Sequence, residues 1–245
     1  MGHHHHHHPN ENLKVAFFLN LSFTIVEILG GILTNSMAIF SDALHDLGDT
    51  MGIGLSIYFE KISEKGNDKQ YSYGYRRFSV ISALINSMIL LLGSAFIVYE
   101  SIPRLLDPQK VDAEGMFYLA ILGVFVNGLA VWKIKKGSKG KSINERAIML
   151  HLFEDVLGWV AVLLGSVVMY FWDVPIIDPI LSLFIAIYIL WNVAKNIKQV
   201  ATIILQAIPK DINIDKLKEQ IIGLNAVSSI HDLHFWSMDG EYNIA

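Results

Sequence analysis

Two short stretches of the chain place a histidine four residues ahead of an aspartate. SDALHDLGD at 41–49 carries His45 and Asp49, and HLFED at 151–155 carries His151 and Asp155. On an α-helix that spacing brings both side chains onto one face, about a turn apart. Two such faces turned toward each other present two imidazoles and two carboxylates. That donor set suits a tetrahedral divalent ion, zinc above all. The mixture is also balanced in charge, because two carboxylates offset a dication and two neutral imidazoles complete the shell. All four groups bind protons, and histidine does so near physiological pH. Metal and protons therefore compete for the same atoms. A site opened alternately to each side would exchange one for the other, with zinc as the transported substrate.

Other candidate ligands are few. Of the ten histidines, the run His3–His8 is an expression tag and is set aside. That leaves His45, His151, His231 and His234. The chain has no cysteine, which excludes disulfides, thiolate zinc sites and cysteine redox chemistry. Asp42 and Asp46 share the His45 face and read as hydrogen-bonding or helix-end groups, with a ligand role as the alternative. Glu154 adjoins the second pair but points off the His151 direction. Asn20, Glu27, Asn86 and Asn127 read as interhelical hydrogen-bonding groups.

The elements that must position these residues are long and apolar. The 245 residues are 53% hydrophobic and only 17% charged, against about 25% charged in a typical soluble domain. The mean hydropathy is +0.42. Six segments have the length and apolar content of a membrane span: 14–34, 36–58, 79–100, 113–132, 147–171 and 176–194. No ten-residue alternating strands of the β-barrel kind occur. Both His–Asp pairs thus fall inside expected spans, where an ionisable residue marks function by default. All of the 19 Lys and Arg except Arg104 and Lys110 cluster in connections on one side, so both termini are expected in the cytoplasm. The net charge of −4 points to no nucleic-acid partner.

Beyond Pro209 the composition turns soluble. Residues 211–222 carry an apolar stripe at helical spacing, with Asp211 as the expected N-cap. Residues 227–238 alternate in part like a strand, and Asp239-Gly240 signals a hairpin turn. One helix with one and a half strands cannot bury a core, so a cytoplasmic α+β domain is expected to be truncated at Ala245. Three parts follow: 1–12, the tag and a disordered N-terminus; 13–208, the membrane domain; and 209–245, the start of the cytoplasmic domain. The basic stretch KKGSKGKS at 135–142 reads as a solvated connector.

Taken together, VEILGGILTNSMAIFSDALHDLGD (26–49), YSYGYRRFSVISALIN (71–86), HLFEDVLG (151–158), the Asp178-Pro179 start of span six and HDLHFWSMDGE (231–241) resemble the cation diffusion facilitator family. These stretches cover most of the chain in order. The resemblance implies an all-α, six-helix membrane bundle with a metallochaperone-like α+β C-terminal domain, working as a homodimer in the lipid bilayer. It implies export of zinc or other divalent metals from the cytoplasm in exchange for protons, with no enzymatic step. The transport site would comprise His45, Asp49, His151 and Asp155, in the plasma (inner) membrane if the source is bacterial. His231 is a candidate ligand of a cytoplasmic regulatory site. The chain departs from the family pattern in its connector at 135–142, which lacks histidine, and at Tyr242, where relatives often carry one. Two rivals are a membrane-embedded metal hydrolase or oxygenase, for which the four histidines offer no larger His cluster, and a passive metal channel.

Overall fold

The computed structural model describes residues 9–137, 143–224 and 227–245. Six long helices follow one another: α1 (Pro9–Thr34), α2 (Met37–Ser63), α3 (Arg77–Leu106), α4 (Ala113–Gly137), α5 (Ile143–Trp172) and α6 (Ile177–Ile204). A short helix, α7 (Ile214–Ile222), and a hairpin of β1 (Trp236–Ser237) and β2 (Asn243–Ile244) complete the chain. Each long helix overlaps one of the expected spans, with α2 and α6 starting one residue later than expected. α1 starts at Pro9, ahead of the boundary expected at 13, and proline suits a first helical turn because its missing N–H has no partner there anyway. The tag residues and 138–142 of the basic connector lie outside the described residues.

Five of the long helices are long and apolar enough to cross a membrane. The sixth, α2, is not, because it carries Asp42, Asp46 and Asp49 within its length. The helices turn their large apolar residues outward: Leu33 is 82% exposed, Tyr99 74% and Phe184 69%. Many of the buried positions are instead small or polar, among them Ser41, Ser94, Ser101, Ser166 and Ser182. This is the arrangement of a protein solvated by lipid, where small residues let helices approach.

The chain divides into two compact units. The first runs to Thr50 and resumes over Ile89–Trp191. Its core is Ala38, Ile39, Met116, Ala120, Trp159, Val162 and Met169. α1 ends where Asn35 takes a left-handed backbone (φ 56), which asparagine tolerates. Ser36 then caps α2, its Oγ accepting from the Ile39 N–H at 3.2 Å.

The second unit comprises Met51–Met88 and Asn192–Ala245. Asn213, not Asp211, is the N-cap of α7, its side chain accepting from the N–H groups of Asp215 and Lys216. The strand expected over 227–238 shortens to the two residues of β1, paired antiparallel with β2. Gly240 in the intervening turn has φ 102, a conformation costly for any other residue. Arg76, in the α2–α3 connection, reaches Asp239 at 3.3 Å and stacks over the Tyr242 ring at 4.4 Å.

Candidate metal centre

Within the first unit, α2 and α5 carry the two His–Asp pairs, and their side chains converge. His151 Nε2 lies 2.9 Å from Asp49 Oδ2, and His45 Nε2 lies 3.8 Å from the same oxygen. The two imidazole rings are 5.9 Å apart between centroids and stand edge to face. One ligand atom from each of His45, Asp49 and His151 falls within 4.8 Å of the others. Asp155 Oδ2 is 3.9 Å from His151 Nε2. Zinc bonds of about 2.0–2.1 Å place the donors of a tetrahedron roughly 3.3 Å apart. The observed 2.9 and 3.8 Å separations bracket that spacing, so small side-chain motions bring the donors to zinc distance. His45 Nδ1 is buried and has no hydrogen-bond partner.

The backbone register that produces this convergence is traceable to specific residues. On α5, Trp159 follows Asp155 by one turn and is 1% exposed. Its indole packs edge-on to Phe23 of α1 and lies where a Cβ at Gly123 of α4 would fall. Val162, Ser166 and Met169 continue the same buried stripe, fixing the rotation that turns His151 and Asp155 inward. On α2, Gly48 lies against Leu90 with no room for a Cβ. Asn20 of α1 donates to the Asp46 carbonyl at 3.3 Å and to Thr50 Oγ1 at 2.9 Å.

Asp178 does more than begin α6. Its carboxylate is fully buried and accepts from Ser36 Oγ at 2.5 Å, the Met37 N–H at 2.8 Å and the Ala38 N–H at 3.2 Å. It thus satisfies the open N-terminus of α2, across more than half the chain. Sequence pattern alone gives no signal for that capture.

The remaining candidates stand elsewhere. Asp42 and Asp46 are buried but belong to no three-ligand group among the described residues. His231 Nε2 is 3.1 Å from Ser229 Oγ, and His234 Nδ1 is 2.9 Å from the Asp232 carbonyl. Neither sits on a strand, and neither joins such a group among the described residues. Glu27, expected to bond across helices, is 1% exposed with both carboxyl oxygens unpartnered.

Five helices long and apolar enough to cross a membrane, with a half-buried cluster of histidine and aspartate ligand atoms, define an integral membrane protein with a candidate site for a divalent cation. The pattern of the cation efflux transmembrane domain matches residues 13–205, and the chain belongs to that family, the cation diffusion facilitators. A cadmium, cobalt and zinc/H(+)-K(+) antiporter of Bacillus subtilis is 34% identical over 245 residues, covering 99% of this chain and 79% of that protein. The metal cation efflux system protein CzcD of Cupriavidus metallidurans is 31% identical, over 97% of this chain and 75% of its own length. The zinc transporter ZitB of Pectobacterium atrosepticum is 30% identical, over 96% and 74% respectively.

Proposed function

We propose that the protein is a proton-coupled antiporter that carries zinc out of the cytoplasm by alternating access. His45, Asp49, His151 and Asp155 would form its transport site. The observation that supports this most is the convergence of ligand atoms from His45, Asp49 and His151 within 4.8 Å of one another, with Asp155 beside them. Two neutral imidazoles and two carboxylates neutralise a dication in surroundings that would not hold it uncompensated. Loading from the cytoplasm displaces protons from these atoms. Exposure to the opposite side, where protons are more abundant, reverses the competition and releases the metal. The names of the relatives, which include zinc, cadmium and cobalt efflux and one antiporter, fit this assignment.

In the same proposal α2 is the sixth span, its carboxylates shielded by the neighbouring helices. Residues 13–208 form the membrane domain, 209–245 belong to a cytoplasmic domain, and both termini are cytoplasmic. Two copies pair into a homodimer, in the plasma (inner) membrane of a bacterium. The test is zinc flux into proteoliposomes under an imposed pH gradient. Wild type should move zinc against the proton flow, whereas Asp49→Ala and Asp155→Ala should not. Retained zinc flux in Asp155→Ala would overturn the site, and flux indifferent to the pH gradient would favour a passive channel.

A further inference from the structure

Asn20 of α1 grips one turn of α2 at two points. Its side-chain amide donates to the Thr50 hydroxyl at 2.9 Å and to the Asp46 carbonyl at 3.3 Å. A carbonyl only accepts, so the nitrogen end of the amide must face α2. Thr24, one turn along α1, donates to the Asn20 carbonyl at 2.9 Å and lies 3.5 Å from the Thr50 hydroxyl. Thr24 and Thr50 are both buried, which leaves little water to compete for these bonds. Asp46 and Thr50 are the residues that directly follow His45 and Asp49. Successive residues of an α-helix point about 100° apart, so the clamp holds α2 beside the ligand stripe without touching a ligand. The Asp178 cap holds Met37, roughly 18 Å along the axis from Asp49. Leu90 packs on the nearer Gly48 but makes no directional bond there.

The rotation of that turn matters because of Asp49. Its Oδ2 lies 2.9 Å from His151 Nε2 and 3.8 Å from His45 Nε2, so one oxygen serves imidazoles on both helices. Zinc takes four ligands, with carboxylate oxygens at about 2.0–2.2 Å. Manganese suits six oxygen ligands, and a carboxylate free to turn can supply two oxygens where a fixed one supplies one. We propose that Asn20 is a positioning residue that sets the metal preference of this site. By clamping α2 at Asp46 and Thr50, it keeps a single oxygen of Asp49 between the two histidines. That geometry favours zinc over cations, such as manganese, that ask for more oxygen ligands. The inference rests on reading His45, Asp49, His151 and Asp155 as the transport site.

The experiment is titration of the purified full chain in detergent with zinc and, separately, with manganese, after removal of the His3–His8 tag. In Asn20→Ala the zinc affinity should fall about five- to tenfold, the worth of one such hydrogen bond. Manganese affinity should fall less or not at all, so the zinc-to-manganese ratio drops. A merely structural role would lower both affinities alike, and an unchanged ratio overturns the proposal. Thr50→Val removes the hydroxyl acceptor with little change of shape. It should shift the ratio in the same direction, and it carries the test if Asn20→Ala does not fold. Because the two groups form one clamp, the double variant should lose no more zinc affinity than Asn20→Ala alone; fully additive losses overturn the proposal as well. Failure of the transport site itself looks different, because Asp49→Ala would then bind zinc as wild type does.

Discussion

Asp178→Ala should unfasten α2 and disturb the candidate site further along that helix. The aspartate accepts three hydrogen bonds, from Ser36 Oγ, the Met37 N–H and the Ala38 N–H, and is fully buried. Truncation leaves all three donors unsatisfied, at about 1–3 kcal/mol each when no water reaches them. The Ser36 hydroxyl can turn toward another acceptor, so the sum is about 3–5 kcal/mol. At roughly 2–4 °C per kcal/mol for a chain of this size, the thermal midpoint in detergent should fall by roughly 6–20 °C. Asp178→Asn retains one acceptor oxygen but points an amide at donors, and should fall about half as far. His45 and Asp49 ride on the helix whose start is released, so zinc affinity should drop with stability in Asp178→Ala. Melting by tryptophan fluorescence, with zinc titration at a temperature where both variants are folded, reads both effects. An Asp178→Ala protein that melts within about 2 °C of wild type would refute the claim that this cross-chain cap holds α2.

Gly123→Ala should cost about 1–3 kcal/mol by thermal melting, because the new methyl group meets the rigid indole of Trp159 and pushes α5 off its rotation. Gly48→Ala should weaken zinc binding through the Leu90 side chain it displaces, and the added change Leu90→Ala should restore binding. Zinc affinity, measured by titration at several pH values, should fall about tenfold per pH unit for each proton displaced, and a pH-independent affinity would exclude exchange. With the His3–His8 tag removed, zinc should bind once per chain by elemental analysis, and His231→Ala should leave that count unchanged. In the second unit, burial pushes the Asp239 carboxyl up, but the N–H groups of Tyr242 and Glu241 and the Arg76 guanidinium outweigh it and hold it below the usual carboxylate range. Because the native value is the lower one, the stability this group contributes is complete above about pH 4 and lost as pH falls through the native value. The packing of Trp236 on Tyr73, followed by tryptophan fluorescence, should loosen on acidification in wild type and show no such transition in Asp239→Asn.

How much of this was legible in the sequence depended on whether the signal was local. The long helices were readable because lipid imposes length and hydropathy on each one separately. The His45–Asp49 and His151–Asp155 rungs were readable because i, i+4 spacing is a property of one helix. Asp178 was not. Its position at the start of α6 is the local pattern of a helix start, and its partners Ser36, Met37 and Ala38 lie in a different element. The α7 cap moved from Asp211 to Asn213 because the backbone first turns at Pro209, where the Ile212 N–H bonds the Pro209 carbonyl. The strand expected over 227–238 shrank because alternation gives a strand only where a neighbour supplies hydrogen bonds, and β2 supplies them to Trp236 and Ser237 alone.

The polarity of α2 and its attachments have one origin. A helix with three aspartates in its first half gains little from burying itself in lipid, so its placement falls to discrete protein contacts. These are the Asp178 cap at its start, the Asn20 bonds to Asp46 and Thr50 at its middle, and the close approach of Gly48 to Leu90. Contacts of this kind are few, directional and individually worth about 1–3 kcal/mol, whereas an apolar face resists rotation along its whole length. A helix held this way can exchange one set of partners for another without exposing a large apolar area. The alternating access proposed above would ask for that property at the helix that carries half the proposed ligands. In the proposed cycle the carboxylates of α2 would therefore serve twice: Asp49 as a ligand of the cation, and all three by leaving the helix dependent on contacts that can be remade.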